Sequence, residues 1–216
     1  MDVTTVRDRE NERSDRPSIL ILAGPNGAGK STVQPFLVPS TMAFVNADNI
    51  ARDLRSAGAS KGVATDIAAG RLLIRDMDRL TALRESFCVE TNLANSALAQ
   101  RITTWRAVGY RVTVYYLWIP SPDLAVARVA QRVASGGHDI PEGTIRRRYY
   151  LGLRNFFEVY MPIADRWRLY DSSGSGEPQL IEWGTRRIVD DALWRNVRAI
   201  AFTKGATDDS TGTTGI

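Results

Sequence analysis

The chain has one cysteine and one histidine in 216 residues, and that scarcity removes several readings at the outset. A lone thiol, Cys88, cannot form an intrachain disulfide, so a reducing, cytoplasmic setting is expected. Cys88 lies in the apolar stretch Phe87-Cys88-Val89 and reads as core filler rather than as a nucleophile. The single histidine, His138, follows two glycines, where a backbone-bonded loop role is favoured over that of a catalytic base. No run approaches the roughly 18 consecutive apolar residues of a membrane span. Residues 1–16 mix charges of both signs and lack the apolar core of a leader peptide. No internal repeat is present.

What the chain does contain is 44% hydrophobic residues, enough for one domain with a sizeable core. That domain is expected over residues 17–203. The flanking segments 1–16 and 204–216 are polar, the second rich in Thr, Gly, Asp and Ser, and both read as disordered tails. The net charge is +4 and the pI near 9.4, but much of the arginine clusters between 128 and 148, so the basicity reads as local. Five apolar, β-branched or aromatic stretches, at 18–24, 42–48, 86–91, 110–119 and 166–171, alternate with helix-like stretches. The alternation predicts an α/β fold with a five-stranded parallel sheet flanked by helices. Between the second and third strands, Ile67, Leu72, Ile74, Met77, Leu80 and Leu83 recur at near-helical spacing, predicting one long amphipathic helix through Arg84. Further helices are expected at 96–108, 122–134, 142–160 and 185–201, with Pro120 and Pro122 ending the fourth strand and opening its helix.

Directly after the apolar run Ile19-Leu20-Ile21-Leu22, the sequence Gly24, Pro25, Asn26, Gly27, Ala28, Gly29, Lys30, Ser31, Thr32 spells G-x-x-x-x-G-K-[ST]. This is the phosphate-binding loop of nucleoside-triphosphate binders. Bare backbone N–H groups curl around a phosphate, Lys30 reaches the β- and γ-phosphates, and the Ser31 hydroxyl is offered to Mg²⁺. The helix that follows points its positive end at the same anion. The fold class that results is a P-loop NTPase, with ATP and Mg²⁺ as cofactors.

Transporter-type ATPases share this loop text but need a later strand ending in Asp-Glu, whereas the strand at 110–119 runs into Pro120-Ser121-Pro122 without an acid. A GTPase would carry an Asn-Lys-x-Asp guanine reader, which is absent. A small-molecule kinase needs an acid at the end of the strand after the loop and cations on a mobile flap. Asp48 closes Phe44-Val45-Asn46-Ala47-Asp48, at the strand edge where open α/β sheets gather ligands, and there it could accept or orient a hydroxyl proton. A plain helix N-cap is its competing role. Arg128 and Arg132 lie four apart on one helical face. Arg146-Arg147-Arg148 follow the hinge-like Gly136-Gly137, with Asp139 and Glu142 spaced as a capping box. At most one or two of the three arginines can face a triphosphate, since consecutive helical residues point about 100° apart. The set reads as a small helical lid that clamps phosphate. Glu90, Thr91 and Asn92 end the third strand, where they could bind a polar acceptor, and Glu90 could instead hold Mg²⁺ through water.

Taken together, these segments resemble the zeta toxin family of phosphotransferases, specifically its short bacterial members. The resemblance spans most of 19–194 and includes F-V-N-A-D-N-I-A at 44–51, V-E-T-N-L at 89–93, Y-L-W-I-P-S-P at 116–122 and R-V-A-Q-R-V at 128–133. It continues through G-G-H-D-I-P-E at 136–142, I-R-R-R-Y at 145–149 and L-Y-D-S-S at 169–173. It implies an ATP- and Mg²⁺-dependent kinase acting on a hydroxyl of a small polar substrate, such as UDP-N-acetylglucosamine, and neutralised by a small antitoxin. It further implies Lys30 and Ser31 for triphosphate and metal, and Asp48 as the catalytic acid. Glu90 with Thr91 would bind the acceptor, Arg132 with Arg146 or a neighbour would stabilise phosphate, and Asp171 would border the adenine. The third-strand text E-T-N-L departs from the Glu-Gly-Thr of the founding toxins. The alternative is an ATP-switched interaction or nucleic-acid-binding module. The arginines lack the extended, aromatic-interleaved stripe of a strand-binding groove, which argues against that alternative.

Overall fold

The computed structural model describes residues 16–137, 139–184, 187–188 and 191–202, the pair 187–188 by backbone alone. The expected tails, apart from Arg16, and His138 lie outside the described residues. Strand β1 (Ser18–Ala23) runs through a sheet ordered β2-β3-β1-β4-β5-β6-β7. Strands β2 (Ala43–Val45), β3 (Phe87–Thr91), β4 (Arg111–Trp118) and β5 (Arg166–Asp171) lie parallel to β1 and to one another. The apolar runs of β1 and β3 suit central strands covered on both faces. Ile19, Ile21, Phe87, Val89, Val112 and Val114 belong to one core, while Leu20, Leu22, Cys88 and Leu117 belong to the other.

Seven helices accompany the sheet among the described residues: α1 (Lys30–Leu37), α2 (Ala47–Ser56), α3 (Val63–Ala82), α4 (Ala97–Ala107), α5 (Pro122–Ala134), α6 (Glu142–Asn155) and α7 (Asp191–Ala201). A π-helical turn, Phe156–Tyr160, and one further turn, Met161–Ile163, continue α6. Residues of α3, α4 and α7 pack in the first core, those of α1 and α5 in the second. Helix α6 serves both. Its Ile145 and Tyr149 join the second core and its Leu153 joins the first, so α6 passes over the carboxyl edge of the sheet. Tyr149 Oη donates to Ile119 O at 2.8 Å and Asn155 Nδ2 to Leu93 O at 2.7 Å, fixing that crossing.

Several expectations need correction. The sheet gains two antiparallel strands, β6 (Gln179–Trp183) and β7 (Arg187–Ile188), so the five parallel strands are part of a seven-stranded sheet. Strand β7 falls within the stretch expected to be helical from 185, and α7 starts at Asp191. On α3, Met77 and Leu80 are buried as the periodicity requires, but Ile67 and Ile74 are exposed, and the helix ends at Ala82, with Leu83 its exposed C-cap, rather than running through Arg84. Helix α6 begins after Pro141 with no side-chain cap, so Asp139 and Glu142 form no capping box. Pro122 does open α5, with Ser121 Oγ accepting from Leu124 N at 3.2 Å.

Candidate functional site

The parallel strands end at one edge, and the connections leaving that edge assemble the site. After β1 the chain enters the loop 24–29. Gly24 and Gly27 have φ of 143° and 78°, and a Cβ there would lie 2.5 Å from Leu117 O or 2.7 Å from Ala125 O. Glycine is required at both positions because the loop backbone packs directly against carbonyls of β4 and α5. Gly29 is the N-cap of α1, so Lys30 and Ser31 are its first residues, at the end where free N–H groups gather.

Lys30 folds back over the loop. Its Nζ donates to Gly24 O at 2.8 Å and Pro25 O at 3.0 Å, and lies 3.8 Å from Glu90 Oε1. The side chain is 8% exposed, and burial is the main reason that its pKa is lowered. The charges of Glu90 and Asp48 act to raise it, and those of Arg132 and Arg148 to lower it further. Two acids and two arginines therefore surround the ammonium at electrostatic range. Asn26 Oδ1, within the same loop, is buried without a hydrogen-bond partner among the described residues. Thr32 is exposed, and its N–H bonds Gly29 O at 2.9 Å.

Asp48 is not at a strand end. Strand β2 stops at Val45 and Asp48 lies in the first turn of α2, whose N-cap is Asn46. Asn46 Oδ1 accepts from Asp48 N at 2.6 Å and Asn49 N at 3.4 Å, while its Nδ2 donates to Glu90 Oε2 at 2.7 Å. Ser31 Oγ donates to that same oxygen at 3.5 Å. One buried amide thus holds the helix that carries Asp48 against the strand that carries Glu90. The bridging position of Asn46 escaped the sequence reading, although an Asn ahead of a helix-forming run is a cap signal.

The other expected residues separate into those the site gathers and those it does not. Thr91 Oγ1 accepts from Leu93 N at 3.1 Å and Asn92 Oδ1 from Ala94 N at 2.9 Å, so both stabilise the turn after β3, where Leu93 has φ 55°. Arg128 donates to Ser172 O at 2.8 Å, Ser173 O at 2.6 Å and, more distantly, Gly27 O at 3.4 Å. It straps the phosphate loop to the connection after β5. Ser172 Oγ adds a bond to Ala28 O at 2.8 Å. Asp171 Oδ1 accepts from Ser173 N at 2.8 Å, closing a local turn. Arg146 is held at the surface by Asp123 and Glu142, both at 2.7 Å. Of the three consecutive arginines it is Arg148 whose charge reaches Lys30.

The Zeta toxin family model matches residues 3–174, a stretch that holds the loop, both acids and the arginine helices. The chain belongs to the Zeta toxin family. A relative in Haemophilus influenzae, an uncharacterised protein, is 30% identical over 130 residues, covering 60% of this chain and 91% of that protein. Among solved structures, the PezAT chromosomal toxin–antitoxin system of Streptococcus pneumoniae aligns with TM-score 0.60 at 17% identity, over 93% of this chain and 85% of that one. The AvrRxo1-ORF1:-ORF2 complex solved with ATP aligns with TM-score 0.70 at 17% identity, over 92% of this chain and 66% of that one. This zeta-family chain therefore spans just under two thirds of the AvrRxo1 chain. These likenesses show the fold, an α/β fold with a central parallel sheet flanked by helices.

Mg²⁺, which such a fold implies, can be tested against the donors present. The Ser31 hydroxyl beside the Glu90 carboxylate is an oxygen pair suited to a hard divalent cation. Among the described residues no group of three or more His, Cys, Asp or Glu could hold a metal. The pair fits an ion that takes its remaining ligands from nucleotide phosphates and water. No helix among the described residues is long and apolar enough to cross a membrane.

Proposed function

We propose that this zeta-family chain is an ATP-dependent phosphotransferase that moves the γ-phosphoryl group of ATP to a hydroxyl of a small polar acceptor. The observation that carries the reading is the setting of Lys30, seated in the loop and 3.8 Å from Glu90, with Asp48 adding negative charge and Arg132 and Arg148 positive charge. Phosphoryl transfer depends mainly on positioning and charge neutralisation, and this arrangement supplies both.

Loop N–H groups and Lys30 hold the triphosphate, and Lys30 leaves the Gly24 and Pro25 carbonyls to do so. Mg²⁺, held by Ser31 and by Glu90 directly or through water, would neutralise phosphate charge. Asp48, exposed in the first turn of α2, takes the proton as the acceptor oxygen bonds to the γ-phosphorus, and the bond to the β–γ bridging oxygen breaks to release ADP. Arg132 and Arg148 stabilise the charge on the transferring group. Arginines in that role contribute about 10³ to 10⁵ in rate. Thr91 and Asn92 border the acceptor side, Arg128 and Asp171 the base side. A sugar nucleotide of the UDP-N-acetylglucosamine type is the proposed acceptor class, and a small antitoxin the proposed partner, in a cytoplasmic setting. The ATP of the AvrRxo1 complex supports ATP as the phosphoryl donor, and the toxin–antitoxin pairing of PezAT supports an antitoxin partner.

A mass-spectrometric comparison of a metabolite extract before and after incubation with protein, ATP and Mg²⁺ tests the proposal. A specific compound should gain one phosphate, and the gain should vanish in Lys30→Ala and in Asp48→Asn. Asp48→Asn should still bind ATP. ATP turnover that no metabolite stimulates, or full transfer by Asp48→Asn, would overturn the assignment.

A further inference from the structure

Glu90 stands where the phosphate loop and the Ser31 hydroxyl converge. Strand register sets Leu22 beside Glu90 and Ala23 beside Thr91, so the carboxylate lies next to the point where β1 gives way to the loop. Alternation along β3 puts it on the face of Cys88, two residues earlier, which belongs to the core that α1 joins. The Glu90 side chain is 11% exposed.

Its two oxygens have different neighbours. Oε1 lies 3.8 Å from Lys30 Nζ, whereas Oε2 accepts from Asn46 Nδ2 at 2.7 Å and from Ser31 Oγ at 3.5 Å. Asn46 is buried and caps α2, so the carboxylate cannot swing aside without breaking a bond to an anchored amide. Lys30 has three N–H donors, and the Gly24 and Pro25 carbonyls take two of them. A phosphate drawn to Lys30 therefore comes up against a fixed carboxylate with little water around it.

That carboxylate opposes what the loop favours. A terminal phosphate carries about −1.5 to −2 charges near neutral pH. Like charges at close range in a dry site repel strongly, and dissolved salt screens them far less than it screens an exposed pair. A carboxylate and phosphate oxygens that share one divalent cation no longer repel, and Glu90 then changes from obstacle to ligand.

We propose that Glu90 selects the metal complex of the nucleotide over the free nucleotide, by contesting Lys30 with any triphosphate that arrives without a divalent cation. The inference rests on the phosphotransferase reading and deepens it by naming the form of the donor that the site takes. A carboxylate that merely held Lys30 in place would act in the opposite sense, since its removal would weaken ATP under every condition.

Isothermal titration calorimetry of ATP and of ADP into the full chain, with excess Mg²⁺ or with EDTA, is the test. In wild type, removal of Mg²⁺ should weaken ATP at least about tenfold more than ADP, which brings one phosphate fewer to the site, and added NaCl should not replace Mg²⁺. Glu90→Gln keeps the shape and can still accept from Asn46. It should bind ATP in EDTA about tenfold more tightly than wild type, so that Mg²⁺ adds less. Equal losses of ATP and ADP in wild type, or no tightening of metal-free ATP in folded Glu90→Gln, would overturn this inference alone when Lys30→Ala still abolishes binding. ATP binding that survives Lys30→Ala would instead overturn the phosphotransferase reading beneath it.

Discussion

Asn46 stands between two carboxylates whose separate positions matter, and its two amide atoms do different work. The oxygen caps α2 through Asp48 N, and the nitrogen bonds Glu90. Asn46→Ala removes both and should cost about 1 kcal/mol for the cap alone, visible in thermal melts, together with most turnover at every pH. Asn46→Asp keeps the cap but sets a second carboxylate against Glu90. Two such groups cannot both ionise cheaply at hydrogen-bond range, so the pair holds a proton to higher pH. That proton restores the missing donor. ADP release by Asn46→Asp should therefore be retained best near pH 6 and fall as pH rises, whereas the wild type should show no such loss. A pH–rate profile that matches wild type would remove Asn46 from the positioning role. The loop could be read from residue order, because G-P-N-G-A-G-K-S is a local signal, and so could Glu90 near the end of its strand; the place of Asp48, in the first turn of a helix rather than at a strand end, could not. The choice among Arg146, Arg147 and Arg148 could not. It depends on Asp123, more than twenty residues earlier, drawing Arg146 to the surface.

At the scale of elements, α6 spans the sheet edge only because Gly152 lets it lie against the β3–α4 connection. A Cβ there would collide with the Asn92 carbonyl, backbone that cannot easily yield. Gly152→Ala should destabilise by roughly 1–3 kcal/mol, while Gly70→Ala, mid-helix in α3 with open space around it, should stabilise by about 0.5–1 kcal/mol. Paired melting curves give both signs.

Strand β6 carries a second element-scale consequence. Glu182 is buried there, and burial first, then the Asp191 charge, push its carboxyl up to about 7, with Arg198 acting the other way. Because the folded-state value is raised, the native state binds more protons than the unfolded chain between the model-peptide range and 7. Stability from this group is complete below about pH 4.5 and is lost as pH rises through 7. Glu182→Gln should flatten the fall in melting temperature from pH 5 to 8, and an unchanged slope would show that Glu182 does not titrate in this window. Five parallel strands were legible because each is rich in apolar, β-branched or aromatic residues, as a buried run in β1 and β3 and as an alternating one in β4. Strand β6 was not. Its five residues follow the Gly- and Ser-rich segment 173–178, too short a span for a period-two pattern to stand out. Strand β7 was absorbed by the helical periodicity of the residues after it.

Over the whole molecule, the candidate site draws its parts from across the sheet. The loop comes from β1, Asp48 and Glu90 from the β2–β3 side, and Arg132 and Arg148 from the helices beyond β4. Arg128 and Ser172 tie the loop to the far side through backbone carbonyls. A nucleotide bound at such a junction stabilises all of these elements together, and only in the native state. At an ATP concentration about 100-fold above its dissociation constant, linkage gives about 2.7 kcal/mol, or roughly 5–10 °C in melting temperature for a domain of this size. The shift should require Mg²⁺ for its full size and should disappear in Lys30→Ala, which removes the cation proposed to meet the phosphates. Differential scanning fluorimetry with and without ATP separates the cases. A shift that survives Lys30→Ala intact would mean that ATP binds elsewhere, and the site built around that lysine would fall with it.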